Sequence, residues 1–200
     1  MKLMVAIPTH DYHHNEFTKC LIKLVQKLES EKIDYEVCLQ GGTLVYMARD
    51  DLASDAVNRG FDYVLWLDAD MTFDDDIFDR LISSGQKLIT GVYHGRKPPY
   101  SSCIFTKLDP PIKTINYPEN MFQIEGCGFG CILTDVSVLK EVYQKYGNCF
   151  QPSVEFGEDL EFCKKASSLG YKIYCDPSIQ CGHIAQLVVR PNMGNRSELA

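Results

Sequence analysis

No stretch of this sequence approaches the ~20 consecutive apolar residues that a membrane-spanning helix needs. The apolar run near the N-terminus is only five residues long, Leu3 to Ile7, and Pro8 ends it, so it does not read as a secretory signal. A soluble, cytoplasmic protein without stable membrane insertion is the expectation. Positive charge is also scarce, at a net −7 over 200 residues. That argues against bulk electrostatic binding to nucleic acid or an anionic surface, although Arg49, His94, Arg96, Lys97 and Arg190 leave room for a local basic pocket. The nine cysteines include no C-x-x-C pair. Several sit within apolar runs, such as Cys38 in YEVCL and Cys131 in GCILT, and read as buried reduced thiols. A zinc site from Cys175, Cys181 and His183 would have unusual spacing. No internal repeat or low-complexity segment is present.

The first half of the chain alternates short apolar runs with amphipathic stretches. KLMVAIP, YEVCLQ, DYVLWLD and KLITGVYH read as strands. FTKCLIKLVQKLES, YMARDDLASDAVNRG and DDDIFDRLISSG read as the helices between them, the first with Leu21, Leu24, Val25 and Leu28 on one face. The three aspartates opening the third helix suit the positive end of a helix dipole. This order predicts an α/β fold with a mainly parallel sheet, in which ligands collect at the carboxyl ends of the strands. After residue 95 the sequence becomes rich in Pro and Gly and predicts loops with antiparallel strands. Two more helices follow, in DVSVLKEVYQKYG and EDLEFCKKASSLG. One domain over 1–190 is expected, with 96–190 facing the substrate and a flexible tail at 191–200.

Four features could carry chemistry. Asp68 and Asp70 stand in VLWLDADMTF, where an apolar strand runs into two like charges. Alternate residues at a strand end point the same way, so the two carboxylates can converge on one hard cation such as magnesium or manganese. The plain alternative is a strand end followed by a solvated turn or helix cap. Glu158 and Asp159 open a helix after a glycine, as routine helix-start acids or with one as a general base. His183 follows a strand-like run and a glycine, and a neutral imidazole can join carboxylates around a transition metal. EGCGFGCIL lacks the strand-to-helix setting of a dinucleotide loop, and close strand packing is its default reading.

Taken in order, the D-x-D at a strand end, the glycine-rich turn, the G-E-D opening a helix and the final G-H resemble the GT-A glycosyltransferases, most of all the inverting family-two type. The likeness runs from VAIPTHD to CGHIA and is most specific in ARDDLASDAVNRGFDYVLWLDADMTFDDDIFDRLI. It implies a metal-dependent enzyme that moves a sugar from a nucleoside-diphosphate sugar to an acceptor hydroxyl with inversion. Asp70 would bind Mn2+ or Mg2+, His183 would complete the metal site, and Asp68 would contact the cation or the donor's ribose. Asp159 would act as base with Glu158 beside it, and Pro8, Thr9, His10 and Arg49 would line the nucleotide pocket. The first 95 residues would form the donor half.

The resemblance implies a UDP-sugar as donor, yet the second strand ends LQGGT, without the acid that often reads the base. A Q-x-x-R-W-type motif is absent, which implies single transfers. The acceptor is left open among protein, glycan and modified nucleic acid, with Arg96, Tyr100 and Phe129 as exposed candidates on its side. Two other readings stand beside this one: a haloacid-dehalogenase-type phosphatase with Asp68 as nucleophile, and an inactive sugar- or nucleotide-binding domain.

Overall fold

A computed structural model describes residues 1–9 and 13–186. His10, Arg190 and the expected tail at 191–200 lie outside the described residues. The first half contains β1 (Lys2–Pro8), α1 (Asn15–Ser30), β2 (Asp34–Gln40), α2 (Val45–Asn58), β3 (Tyr63–Leu67), β4 (Met71–Thr72), α3 (Ile77–Ser83) and β5 (Leu88–Val92). Then come β6 (Ile104–Leu108), β7 (Pro111–Lys113), β8 (Phe122–Ile124), β9 (Gly126–Cys127), β10 (Cys131–Asp135), α4 (Val136–Tyr146), α5 (Glu158–Ser168), β11 (Ile173–Gln180) and β12 (Gly182–His183).

Seven strands form the main sheet in the order β2-β1-β3-β10-β5-β11-β8. β2, β1, β3, β5 and β11 run one way, while β10 and β8 are reversed. The sheet is therefore mostly parallel, with one reversed strand inside it. β10 comes from the second half of the chain yet lies between β3 and β5 of the first.

β1 and β3 are continuous apolar runs because both faces of the sheet are covered. Their side chains alternate between two cores. Met4, Ala6, Val64 and Trp66 join α2, α4 and α5 on one face, through residues such as Leu52, Leu139 and Phe162. Leu3, Val5, Ile7, Leu65 and Leu67 join α1 and α3 on the other, through Phe17, Leu24, Leu28, Phe78 and Leu81. In α1 the fully buried positions are Phe17, Leu24 and Leu28, while Leu21 and Val25 are half-buried beside them.

Two local expectations need correction. α3 starts at Ile77, so Asp74, Asp75 and Asp76 lie before it. The Ile77 N–H donates to the Asp74 carbonyl at 3.2 Å, closing a turn out of residues expected to be helical. Phe129 is 1% exposed. It packs edge-on against Trp66, Phe150 and Phe162 with ring centroids 5.0–5.8 Å apart, and is a core residue.

Candidate active site

Pocket-lining residues gather where β1, β3 and β5 end. A cavity of about 540 Å³ is lined there by Pro8 and Thr9 after β1, the Asp68–Asp70 turn after β3, and Tyr93 after β5. Val45 and Arg49 of α2, Glu158 and Asp159 of α5, and His183 of β12 complete that side. Cys103, Phe105 and Lys113 also line it, from the small sheet β7-β6-β9 and the chain leading into it.

The D-x-D geometry differs from the sequence expectation. β3 stops at Leu67, so Asp68 and Asp70 sit in a turn rather than on alternate strand positions. The Asp68 N–H donates to the Gly130 carbonyl at 3.1 Å, and the Met71 N–H donates back to Asp68 at 3.0 Å. The Ile184 N–H donates to the Asp70 carbonyl at 2.8 Å, and β12 pairs with β4. The turn is thus fastened to β10 on one side and β12 on the other. Its carboxylates separate, and each meets its own cation.

Asp68 turns inward. Its Oδ1 accepts from Arg49 Nη2 at 2.8 Å, and Arg49 Nη1 donates to Glu158. The Arg49 side chain is only 4% exposed and lies over the Phe129 ring, 5.7 Å from its centroid. It enters the pocket wall as a buried bridge between two acids, and its Nε has no hydrogen-bond partner. Burial alone would lower the guanidinium pKa, but Asp68, Glu158 and Asp159 outweigh it and hold Arg49 charged. Burial raises the Asp68 pKa, against the pull of Arg49, and Asp70 adds to the rise.

Asp70 turns toward Arg96 and His183. Its Oδ2 lies 2.6 Å from Arg96 Nη1 and 3.4 Å from His183 Nε2. The His183 Nδ1–H donates to the His94 carbonyl at 2.8 Å, which leaves Nε2 facing Asp70. Burial would lower the histidine pKa, yet Asp70 and the His94 carbonyl raise it overall. Burial would likewise raise Asp70, and His183 with Arg96 draws it down instead.

Asp70 and His183 are the side chains of this corner that could hold a divalent cation. A backbone carbonyl fixes the imidazole so that its other nitrogen faces a carboxylate, a usual second-shell arrangement for a metal-binding histidine. Among the described residues no group of three or more His, Cys, Asp and Glu is gathered as a metal cage. A cation held by Asp70 and His183 would need its remaining ligands from a bound molecule or water. Cys175, Cys181 and His183 form no such group either.

Asp159 lies next to the Arg49 bridge and has no ion pair of its own among the described residues. Burial raises its pKa most, Arg49 opposes this, and Glu158 and Asp68 push it further up. Its Oδ1 accepts from the Leu160 N–H at 2.8 Å. The helix-start reading and the base reading therefore meet in one residue: one oxygen serves the helix and the group faces the cavity.

Sequence reasoning overlooked Tyr93. Its ring lies so close to Gly128 and Gly130 that a Cβ on Gly128 would stand 2.1 Å from its hydroxyl oxygen, and one on Gly130 would stand 2.9 Å from Cζ. The Gly130 N–H donates to that hydroxyl at 3.0 Å. The glycines of EGCGFGCIL thus serve close packing, and the space they leave admits a buried tyrosine beneath the site. Phe105 and Lys113 were missed too, because nothing local in the Pro-rich segment marks them. Tyr100 is exposed but does not line this cavity.

No family model matches this chain, and no curated protein matches it. Solved structures do match its fold. A197 from STIV is 16% identical with a TM-score of 0.64, over 93% of this chain and 87% of that one. GalNAc-T7, crystallised with UDP, GalNAc and Mn2+, is 12% identical with a TM-score of 0.59. That match covers 98% of this chain and 46% of the other. The catalytic domain of Drosophila beta1,4galactosyltransferase 7, in complex with xylobiose, is 16% identical with a TM-score of 0.51, over 88% and 64%. The fold is the α/β fold of these glycosyltransferase catalytic domains, and this chain spans less than two thirds of either. No helix among the described residues is long and apolar enough to cross a membrane.

Proposed function

We propose that this chain is a metal-dependent glycosyltransferase that moves a sugar from a nucleoside-diphosphate sugar to an acceptor hydroxyl, with inversion. The observation that carries the reading is that one cavity gathers Asp70 and His183 together with a half-buried Asp159 that has no ion-pair partner among the described residues. A leaving diphosphate needs positive charge, and an attacking hydroxyl needs a base. The cavity offers a residue set for each.

Asp70 and His183 would hold Mn2+ or Mg2+, whose charge would offset that growing on the departing diphosphate. His94 orients His183 through its carbonyl. Asp159 would take the proton from the acceptor hydroxyl, its raised pKa making it a stronger base than an ordinary carboxylate. Glu158 and Arg49 would hold Asp68 and the start of α5 in place beside it. Pro8, Thr9 and His10 would line the nucleotide side, with a UDP-sugar the donor that the resemblance implies. The first 95 residues would supply most of the donor side and 96–190 the acceptor side of one domain.

The phosphatase alternative needs Asp68 free as a nucleophile, and its Oδ1 is taken up by Arg49. The test is a thermal-shift panel of nucleoside-diphosphate sugars with manganese, with magnesium and with chelator. A metal-dependent rise in melting temperature for one nucleotide class supports the reading, because a ligand that binds only the folded state stabilises it. No rise with any donor, but a rise with phosphate analogues and magnesium, would favour the phosphatase.

A further inference from the structure

The charges around the cavity do not all pair. Asp68 and Glu158 share Arg49, and Asp70 takes Arg96 and His183. Lys113 also lines the cavity, and among the described residues it has no carboxylate partner within ion-pair distance. Its ammonium instead rests over the Phe105 ring, 5.4 Å from the centroid. The two residues face each other across the β6–β7 ladder, so the hairpin holds them as a pair.

Strand pairing places this cation on the α5 side of the cavity. Phe105 pairs with Lys113 on one side and with Gly126 of β9 on the other, and Gly126 packs so tightly on Leu160, the residue after Asp159, that a Cβ there would stand 3.0 Å from its Cδ2. The ammonium therefore belongs to the wall beside the candidate base, where an acceptor hydroxyl would be activated. Arg49 and Arg96 also line the cavity, but both are engaged by its own acids Asp68, Glu158 and Asp70, so Lys113 is the cation left to an anionic molecule entering beside Asp159. Phe105 adds an apolar face beside that cation.

Resting on the glycosyltransferase reading above, we propose that the acceptor is a sugar or sugar-like molecule carrying an anionic group close to its reactive hydroxyl. Lys113 pairs with the anion and Phe105 packs against the ring that bears it. The net charge of the chain and the acidic cavity make a selected anion a stronger statement about specificity than it would be in a basic protein. Lys113 is the residue that sets it.

The experiment uses the full chain loaded with manganese and whichever donor the thermal-shift panel identifies. Binding of three probes is measured by calorimetry: methyl glucoside, methyl glucuronide and methyl glucoside 6-phosphate. Lys113 is exposed, so the wild type is expected to bind one or both anionic probes about threefold more tightly than the neutral one, on the scale of an exposed charge pair. In Lys113→Ala that ratio should fall to near one. In Lys113→Glu the neutral probe should bind better than the anionic ones. The carboxylate and phosphate arms tell the two anion classes apart.

Equal binding of neutral and anionic probes, or binding of none, overturns the proposal. So does a preference that survives in Lys113→Ala. If that variant weakens the donor instead, Lys113 belongs to the donor site and the acceptor assignment falls. Failure of every donor to bind would strike the glycosyltransferase reading itself, an outcome seen before any acceptor probe is added.

Discussion

Two aspartates one residue apart on the same turn have opposite surroundings. Asp68 faces a guanidinium that is almost wholly enclosed and shared with Glu158. Asp70 faces an arginine whose side chain is 53% exposed and a histidine held from behind by a backbone carbonyl. Sequence spacing makes the two residues equivalent, whereas the fold makes one a structural anchor and leaves the other able to exchange partners. A repulsive pair was expected to need a shared cation between its members. The chain itself supplies separate ones.

Removing Arg49 is the strongest way to break that contrast. Arg49→Ala would leave Asp68 and Glu158, 28% and 17% exposed, without their shared cation. Stripping one partner from a buried ion pair costs about 3–5 kcal/mol, and the water that reaches both acids brings this to about 2–3 kcal/mol. Urea denaturation is expected to show a loss of that size. The triple variant Arg49→Met, Asp68→Asn, Glu158→Gln should recover much of it, because no charge is left stranded. A loss below about 1 kcal/mol in Arg49→Ala would place this pair with ordinary surface bridges.

Asp159 tests the neighbouring charge from the chemical side. Asp159→Asn is expected to lower kcat for transfer by ~10²–10⁴-fold, the usual contribution of a general base, with donor binding retained. The same change should stabilise the fold at neutral pH. A carboxyl whose pKa is raised on folding contributes stability that is present below its unfolded pKa and lost as the pH climbs through the folded value. The stability gap between variant and wild type should therefore be smallest in acid and widen upward through the raised pKa. Wild-type transfer should rise over the same window as Asp159 ionises. Transfer at the parent rate in Asp159→Asn would remove the base assignment.

His183 probes the exchangeable corner. His183→Ala is expected to weaken the manganese dependence of donor binding by ~10-fold or more, since even outer-shell partners of a metal site are worth ~10–100-fold. Calorimetric titration of manganese in the presence of donor measures it, and an unchanged affinity would take His183 out of the metal set.

Much of this architecture was legible before any coordinates. β1, β2, β3 and β5 lie where the apolar runs put them; β1, β3 and β5 are covered on both faces and need no alternation to be recognised. Four carboxylates, Pro8, Thr9, Arg49 and His183 line one cavity; the strand pattern pointed to Asp68 and Asp70, whereas Arg49, Glu158 and Asp159 stand on helices and were named through the resemblance. What could not be read was direction and partnership. Arg49 lies four residues into α2, and only the packing of that helix against Phe129 shows that it turns into the wall. β10 is reversed within the sheet, a long-range pairing that no local pattern encodes. Phe129, in a glycine-rich segment, gave no sign that its ring completes an aromatic core.

The smallest expected effect sharpens the contrast most. Arg96 pairs with Asp70 at 2.6 Å but is more than half exposed, so Arg96→Ala should change stability by less than about 1 kcal/mol. That sets it against the larger loss expected at Arg49, although both residues are arginines paired with an aspartate of one motif. Its effect on metal should run the other way. Arg96 occupies the same Asp70 oxygen that faces His183 Nε2, so a divalent cation arriving there must displace the guanidinium. Without that competitor, manganese alone should bind Arg96→Ala more tightly than wild type when titrated in the absence of nucleotide. Weaker manganese binding in the variant would mean instead that Arg96 supports the geometry of Asp70, and the two aspartates would then be alike in depending on a fixed cation.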